Sequence, residues 1–143
     1  DLDQMFQRGV ALIIDYGLLY DEFFEPERSE GTLRCYRNHQ LVDDPFEAIG
    51  ETDLTAQVNF SQVMTEAKKR GFDVLGYTDQ ARFLTGAGAN WLQERDGSIS
   101  PAEVRQFQTL THPGQMGRVF KTLVLGKKAG EGGLDGLRFA QAR

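Results

Sequence analysis

The run Gly9-Val10-Ala11-Leu12-Ile13-Ile14-Asp15-Tyr16-Gly17 constrains this chain more than any other stretch. Residues 10–14 are continuously apolar and lack the alternation of a half-exposed strand. The run therefore predicts a strand covered on both faces, as in a parallel α/β sheet. An aspartate and a glycine close it abruptly, at the strand end where open α/β sheets place their ligands. Asp15 is a candidate site residue on that ground, the plainer alternative being that it caps the next element.

The rest of the composition narrows the class. With 143 residues, 40% hydrophobic and 26% charged, the chain has the make-up of one ordinary globular domain. No apolar run approaches the roughly 20 residues that span a bilayer, and residues 1–6 lack the basic start and apolar middle of a signal peptide. The chain begins at Asp1 rather than Met, which suits processing or a piece of something longer. The lone Cys35 excludes an internal disulfide and makes a reducing cytoplasm the default compartment. The net charge of −5 is unevenly spread: residues 1–60 hold 13 acidic and 4 basic side chains, whereas residues 61–143 hold 8 and 12. That balance argues against a nucleic-acid scaffold and favours a cationic partner for the first half.

Residues 18–58 form a long, acidic stretch punctuated by Pro26, Gly31, Pro45 and Gly50. Loops of this length inside compact domains are functional or disordered. Within it Thr32-Leu33-Arg34-Cys35-Tyr36-Arg37-Asn38-His39 alternates like a short strand and carries Arg, Tyr and His together, which points to function. The alternative for Arg34 is a simple ion pair with Glu30 or Asp44. Cys35, His39 and His112 are too few for a zinc site, so no metal is expected and Cys35 reads as a small buried hydrophobe.

Signals sharpen afterwards. Asn59 and Gln62 resemble a capping box, followed by Phe60, Val63, Met64 and Ala67 at helical spacing and closed by Lys68, Lys69, Arg70 and Gly71. A strand is predicted at residues 72–78. A short helix at residues 79–84 is expected to break at Gly86 and Gly88, with a further turn at residues 90–93. Ser100-Pro101-Ala102-Glu103 opens another helix, and residues 119–126 form a third strand. The glycine-rich tail from residue 129 has only Leu134, Leu137 and Phe139 as sizeable anchors. Neither G-x-G-x-x-G nor G-x-x-x-x-G-K-[ST] occurs, so no glycine loop here cradles a nucleotide phosphate.

Taken in series, Ala11-Leu12-Ile13-Ile14-Asp15-Tyr16-Gly17, Gly31-Thr32-Leu33-Arg34-Cys35-Tyr36, His39, Asp53-Leu54-Thr55-Ala56-Gln57-Val58-Asn59-Phe60, Gln80 with Phe83-Leu84, His112-Pro113-Gly114-Gln115-Met116-Gly117 and Phe120-Lys121-Thr122-Leu123 resemble the C-terminal part of the MidA family. These are S-adenosylmethionine-dependent methyltransferases of the class I fold, and the family includes a mitochondrial arginine methyltransferase that assists assembly of respiratory complex I. The resemblance covers nearly all of residues 9–126. Where many relatives have Asp, this chain has Asn59, which keeps the capping role without the charge.

The resemblance implies an α/β fold: the C-terminal half of a class I methyltransferase Rossmann-like sheet over residues 1–128, with helical insertions and the long loop 18–58, then a flexible tail at 129–143. Residues 10–14, 72–77 and 119–125 become the fifth, sixth and seventh strands, in the order 5-7-6 with the last antiparallel to both neighbours. It implies S-adenosylmethionine as cofactor, its main binding loop lying upstream of residue 1. It further implies a protein substrate such as arginine, a respiratory complex I subunit as possible partner, a homodimer through the exposed sheet edge, and a bacterial cytoplasmic or eukaryotic mitochondrial setting. A guanidinium has no acceptor and a very high pKa, so carboxylates must orient it and take its proton. Asp15 and Tyr16 are the catalytic candidates. Thr32, Arg34, Tyr36, His39, Asp53 and Asn59 are the substrate-binding candidates. The alternative function is a non-catalytic acidic module that recognises a basic protein.

Overall fold

The computed structural model describes residues 2–95, 98–130 and 133–140. In chain order the elements are α1 (Leu2–Met5), β1 (Gly9–Leu18), α2 (Tyr20–Phe23), β2 (Arg34–Arg37), β3 (Gln40–Val42), β4 (Asp53–Thr55), β5 (Val58–Asn59), α3 (Phe60–Lys69), β6 (Asp73–Asp79), α4 (Gln80–Glu94), α5 (Pro101–Thr111) and β7 (Phe120–Lys127), with 3-10 turns at Pro26–Arg28 and Asp135–Leu137. The main sheet runs β5-β1-β7-β6. β7 lies antiparallel to β1, with Ile13 opposite Leu123 and Asp15 opposite Lys121, and antiparallel to β6, with Tyr77 opposite Leu123 and Asp79 opposite Lys121. This is the expected 5-7-6 order with its antiparallel last strand. The two-residue β5 adds a parallel partner at Gly17 and Leu18 only.

Strand alternation sorts the side chains onto two faces. On one, Leu123 and Leu125 of β7 pack with Phe60 and Ala67 of α3 and with Phe72, and Ala11, Ile13, Val63, Val74 and Tyr77 close around them. Asn59 sets α3 in place by accepting the Gln62 N–H at 3.1 Å, and Gly71 leaves the helix with φ of +75°, a conformation costly for other residues. The other face departs from the sequence expectation. Val10, Leu12, Ile14 and Tyr16 are between 41 and 50% exposed, so β1 is covered on one face rather than two, because α4 packs over β6 and β7. Among the described residues, no strand pairs with β1 along residues 9–16 on the side away from β7.

Three further expectations are revised. Residues 80–94 form one continuous helix rather than two pieces separated at Gly86 and Gly88. Gly86 is there for close approach, since a Cβ on it would lie 2.4 Å from the Asp135 carbonyl oxygen. The stretch 18–58 is no bare loop, for β3-β2-β4 make a second antiparallel sheet within it. β1 itself continues through Leu18, so Asp15 lies within the strand and not at its last residue. Of the glycine-rich tail, residues 131–132 and 141–143 lie outside the described residues. In the described part, Leu137 sits against Gly76, the Phe83 ring lies against Gly136, and Asn90 donates to Asp135 at 3.0 Å.

Thr122 and Thr78 face each other across β7 and β6, are 0% and 4% exposed, and their hydroxyls have no hydrogen-bond partner among the described residues. A buried hydroxyl without a partner is costly. Thr122→Val keeps the shape and β-branching while removing that cost. It is expected to raise stability by about 1 kcal/mol, read as a higher denaturant midpoint at unchanged slope. A lower midpoint shows that the hydroxyl is satisfied.

Candidate functional site

The long segment returns to the end of β1 in defined steps. Leaving the strand, the chain is pinned where the Tyr20 N–H donates to Ser61 Oγ at 2.9 Å. The β2–β3 hairpin then turns on Asn38 and His39, both left-handed with φ of 51° and 63°, the conformation a tight primed hairpin turn requires. β4 pairs antiparallel with the other edge of β2, setting Arg34 opposite Thr55 and Tyr36 opposite Asp53. The Gln57 N–H donates to Thr32 Oγ1 at 3.1 Å, one residue before β5 joins the main sheet beside Gly17. The small sheet is thereby tied to the carboxyl end of β1.

Between them lies a pocket of about 340 Å³ lined by Tyr16, Thr32, Arg34, Tyr36, Thr55, Ala56 and Gln57. The Tyr16 ring leans on Phe120 with centroids 4.3 Å apart, which fixes its position. Arg34 Nη1 donates to the Leu33 carbonyl at 2.7 Å and forms no ion pair among the described residues. The pairing with Glu30 or Asp44 does not form. Asp44 instead accepts the Phe46 N–H at 2.8 Å, and the neighbouring Arg37 takes Glu47 at 3.1 Å.

The eight residues singled out from the sequence separate accordingly. Tyr16, Thr32, Arg34 and Tyr36 meet in this pocket. Asp15 does not line it; as its strand neighbour it belongs to the opposite face, the side of Ala11 and Ile13, where it is partly buried and stands opposite Lys121. Its Oδ1 accepts the Tyr16 N–H at 2.7 Å, and Lys121 donates to the Arg118 carbonyl at 2.8 Å. His39 is exposed at the hairpin turn, Asp53 is exposed on β4, and Asn59 caps α3. Asn59 also borders a separate groove of about 480 Å³ along α3, floored by Ala11, Ile13, Val63 and Phe72.

Sequence reasoning gave no role to Thr55, Ala56 and Gln57. Their signal was present in the Asp53-Leu54-Thr55-Ala56-Gln57 stretch, but a three-residue strand is too short for its alternation to stand out. It also missed the row Asp15, Lys121, Asp79 across three strands. There Asp79 accepts the Arg82 N–H at 2.8 Å, and a small recess of about 130 Å³ gathers Glu22, Asp79, Arg82 and Lys121. Among the described residues no group of three His, Cys, Asp or Glu side chains is placed to hold a metal ion, and no helix is long and apolar enough to cross a membrane.

Comparison with known proteins adds to this geometry. Residues 1–78 match a family described as "Putative S-adenosyl-L-methionine-dependent methyltransferase". The mitochondrial protein arginine methyltransferase NDUFAF7 homolog of Drosophila melanogaster is 33% identical over 123 residues, 82% of this chain and 26% of that protein. The mitochondrial protein arginine methyltransferase NDUFAF7 of Danio rerio is 33% identical over 120 residues, 79% of this chain and 26% of that protein. A COG1565 superfamily member from Burkholderia thailandensis, solved bound to S-adenosyl-homocysteine, superposes with a TM-score of 0.83 at 34% identity, over 99% of this chain and 37% of that one. The chain thus spans about a quarter of the length of the curated relatives it matches.

Proposed function

This chain belongs to the MidA-like family of S-adenosyl-L-methionine-dependent methyltransferases, and we propose that it acts as the C-terminal, substrate-side segment of a longer enzyme that methylates a protein side chain, arginine foremost. The observation that carries this reading is the return of the long segment to the end of β1, where Tyr16 of the main sheet and Thr32, Arg34 and Tyr36 of the small sheet share one pocket. A plain linker has no need of such an arrangement. Arginine as substrate is supported by the names of the mitochondrial relatives; in this reading a respiratory complex I subunit is one candidate target, and the compartment is mitochondrial or, in a bacterium, cytoplasmic.

The residues present here do not fit the cofactor. The sequence has no G-x-G-x-x-G pattern, and the pocket at the end of β1 carries the Arg34 cation, which disfavours a sulfonium. We therefore assign cofactor binding to the remainder of the protein. That remainder also supplies the strand for the open side of β1, whose residues 9–16 keep unpaired backbone groups beside an apolar face. Asp15 orients the cationic side chain and receives its proton, while the β2–β4 sheet shapes the substrate side.

Methyl transfer by the full-length protein is the direct test. With S-adenosylmethionine and an arginine-bearing protein, mass spectrometry is expected to find one added methyl group on the side chain. The 143-residue chain alone is expected to show no saturable heat on calorimetric titration with the cofactor. Micromolar binding by the isolated chain, or no transfer by the full-length protein on any protein substrate, removes this reading.

A further inference from the structure

We propose that the pocket between β1 and the small sheet is a carboxylate-binding site, and that its ligand is an acidic side chain of the polypeptide substrate. Residues 1–60 hold 13 acidic and 4 basic side chains, yet not one residue lining this pocket is acidic. The one charged group there is Arg34. It spends a single N–H on the Leu33 carbonyl and has no carboxylate partner among the described residues, so most of its donor fork remains available. Other donors stand around it. Thr32 accepts from the Gln57 N–H and still has its own hydroxyl hydrogen to give, while Tyr16 and Tyr36 are two further hydroxyl-bearing residues of the lining.

A guanidinium among hydroxyl donors matches the planar, acceptor-only carboxylate and disfavours a cation. The pocket therefore is not where a guanidinium substrate sits. It holds a neighbouring acidic residue, while Asp15, on the opposite face of the same strand, deals with the cationic side chain. The identity of the ligand rests on the substrate-side reading above. The carboxylate itself does not, and its test needs no methyl donor.

The experiment titrates the full-length protein with three probes: a short peptide with blocked termini and one glutamate, its glutamine counterpart, and N-acetylmethionine, whose only carboxylate is on the α-carbon. Binding is followed by NMR at the Arg34 Nε–H and the Gln57 backbone N–H. The expected result is saturable shifts with the glutamate peptide and none with its glutamine counterpart. Arg34→Gln is expected to weaken binding by about tenfold or more. Arg37→Gln, on the same strand but paired with Glu47 outside the pocket, leaves binding unchanged and controls for folding of the small sheet. Binding by N-acetylmethionine alone supports the carboxylate chemistry but overturns the acidic side chain as its source. Equal binding of the two peptides, or full binding by Arg34→Gln, overturns the site. Because no methyl donor is added, such a failure leaves the methyltransferase reading to its own test.

Discussion

Gly17→Ala is expected to destabilise the fold strongly. A Cβ at this position would lie 2.4 Å from the Phe60 ring and 2.5 Å from the Val58 carbonyl oxygen, so two neighbours have to move at once. Phe60 cannot yield easily, being 0% exposed and wedged against Tyr77 with ring centroids 5.3 Å apart. Val58 cannot yield either, because its backbone pairs with Gly17 in the parallel ladder. Overpacking at a core site costs typically about 1–3 kcal/mol, and here the displaced backbone of β5 adds to it. Against a total stability of about 5–15 kcal/mol, that is a large share, read by circular dichroism in a denaturant series as a markedly lower midpoint. Phe60→Leu in the Gly17→Ala background removes the ring contact but not the carbonyl contact, so it is expected to recover part of the loss. An unchanged midpoint for Gly17→Ala shows that β5 does not pair with β1 in this register. The position also bears on the proposed pocket, since Gly17 follows Tyr16 and pairs β1 with the strand that Gln57 leads into.

How much of this was legible in the sequence follows from the range of each interaction. α3 and α5 were readable because their ends are local: Asn59 bonds to Gln62, and Ser100 and Glu103 bond to each other's backbone N–H groups. The order of the three long strands was not readable from pattern alone and came with the family resemblance. Coverage of β1 is not legible because a run of apolar residues looks the same whether both faces are covered or one is left open, as Leu12 and Ile14 are here. Gly86 reads as a break because its reason for being there, the Asp135 carbonyl, lies 49 positions away in the chain. The small sheet was half seen. β2 shows in the alternation around Cys35, but β3 and β4 have three residues each and show no period. For the site, Thr32, Arg34 and Tyr36 announced themselves by chemistry and alternation. That Asp15 and Tyr16 part to opposite faces follows from the period of a strand that was expected to stop at Asp15, and which instead continues to Leu18.

That separation makes Asp15→Asn an informative substitution. If Asp15 takes the substrate proton as proposed, turnover of the full-length protein is expected to fall by roughly a hundredfold, the usual scale for loss of a positioned proton acceptor, with the melting temperature unchanged. Asparagine keeps the side-chain oxygen that accepts the Tyr16 N–H, so the local backbone and the ring on Phe120 stay in place and only the charge is removed. Little stability is at stake, because Asp15 forms no ion pair among the described residues and its cross-strand neighbour Lys121 is occupied with the Arg118 carbonyl. A partly buried carboxylate near the end of a strand, left unneutralised by the cation across from it, is suited to a cationic substrate that arrives from outside. Tyr16→Phe, on the other face, tests the pocket and not the proton: if the pocket binds substrate as proposed, it is expected to raise KM more than it lowers kcat. If Asp15→Asn retains full turnover while Tyr16→Phe does not, the chemistry lies on the pocket side of β1, and Asp15 serves to hold the Tyr16 backbone.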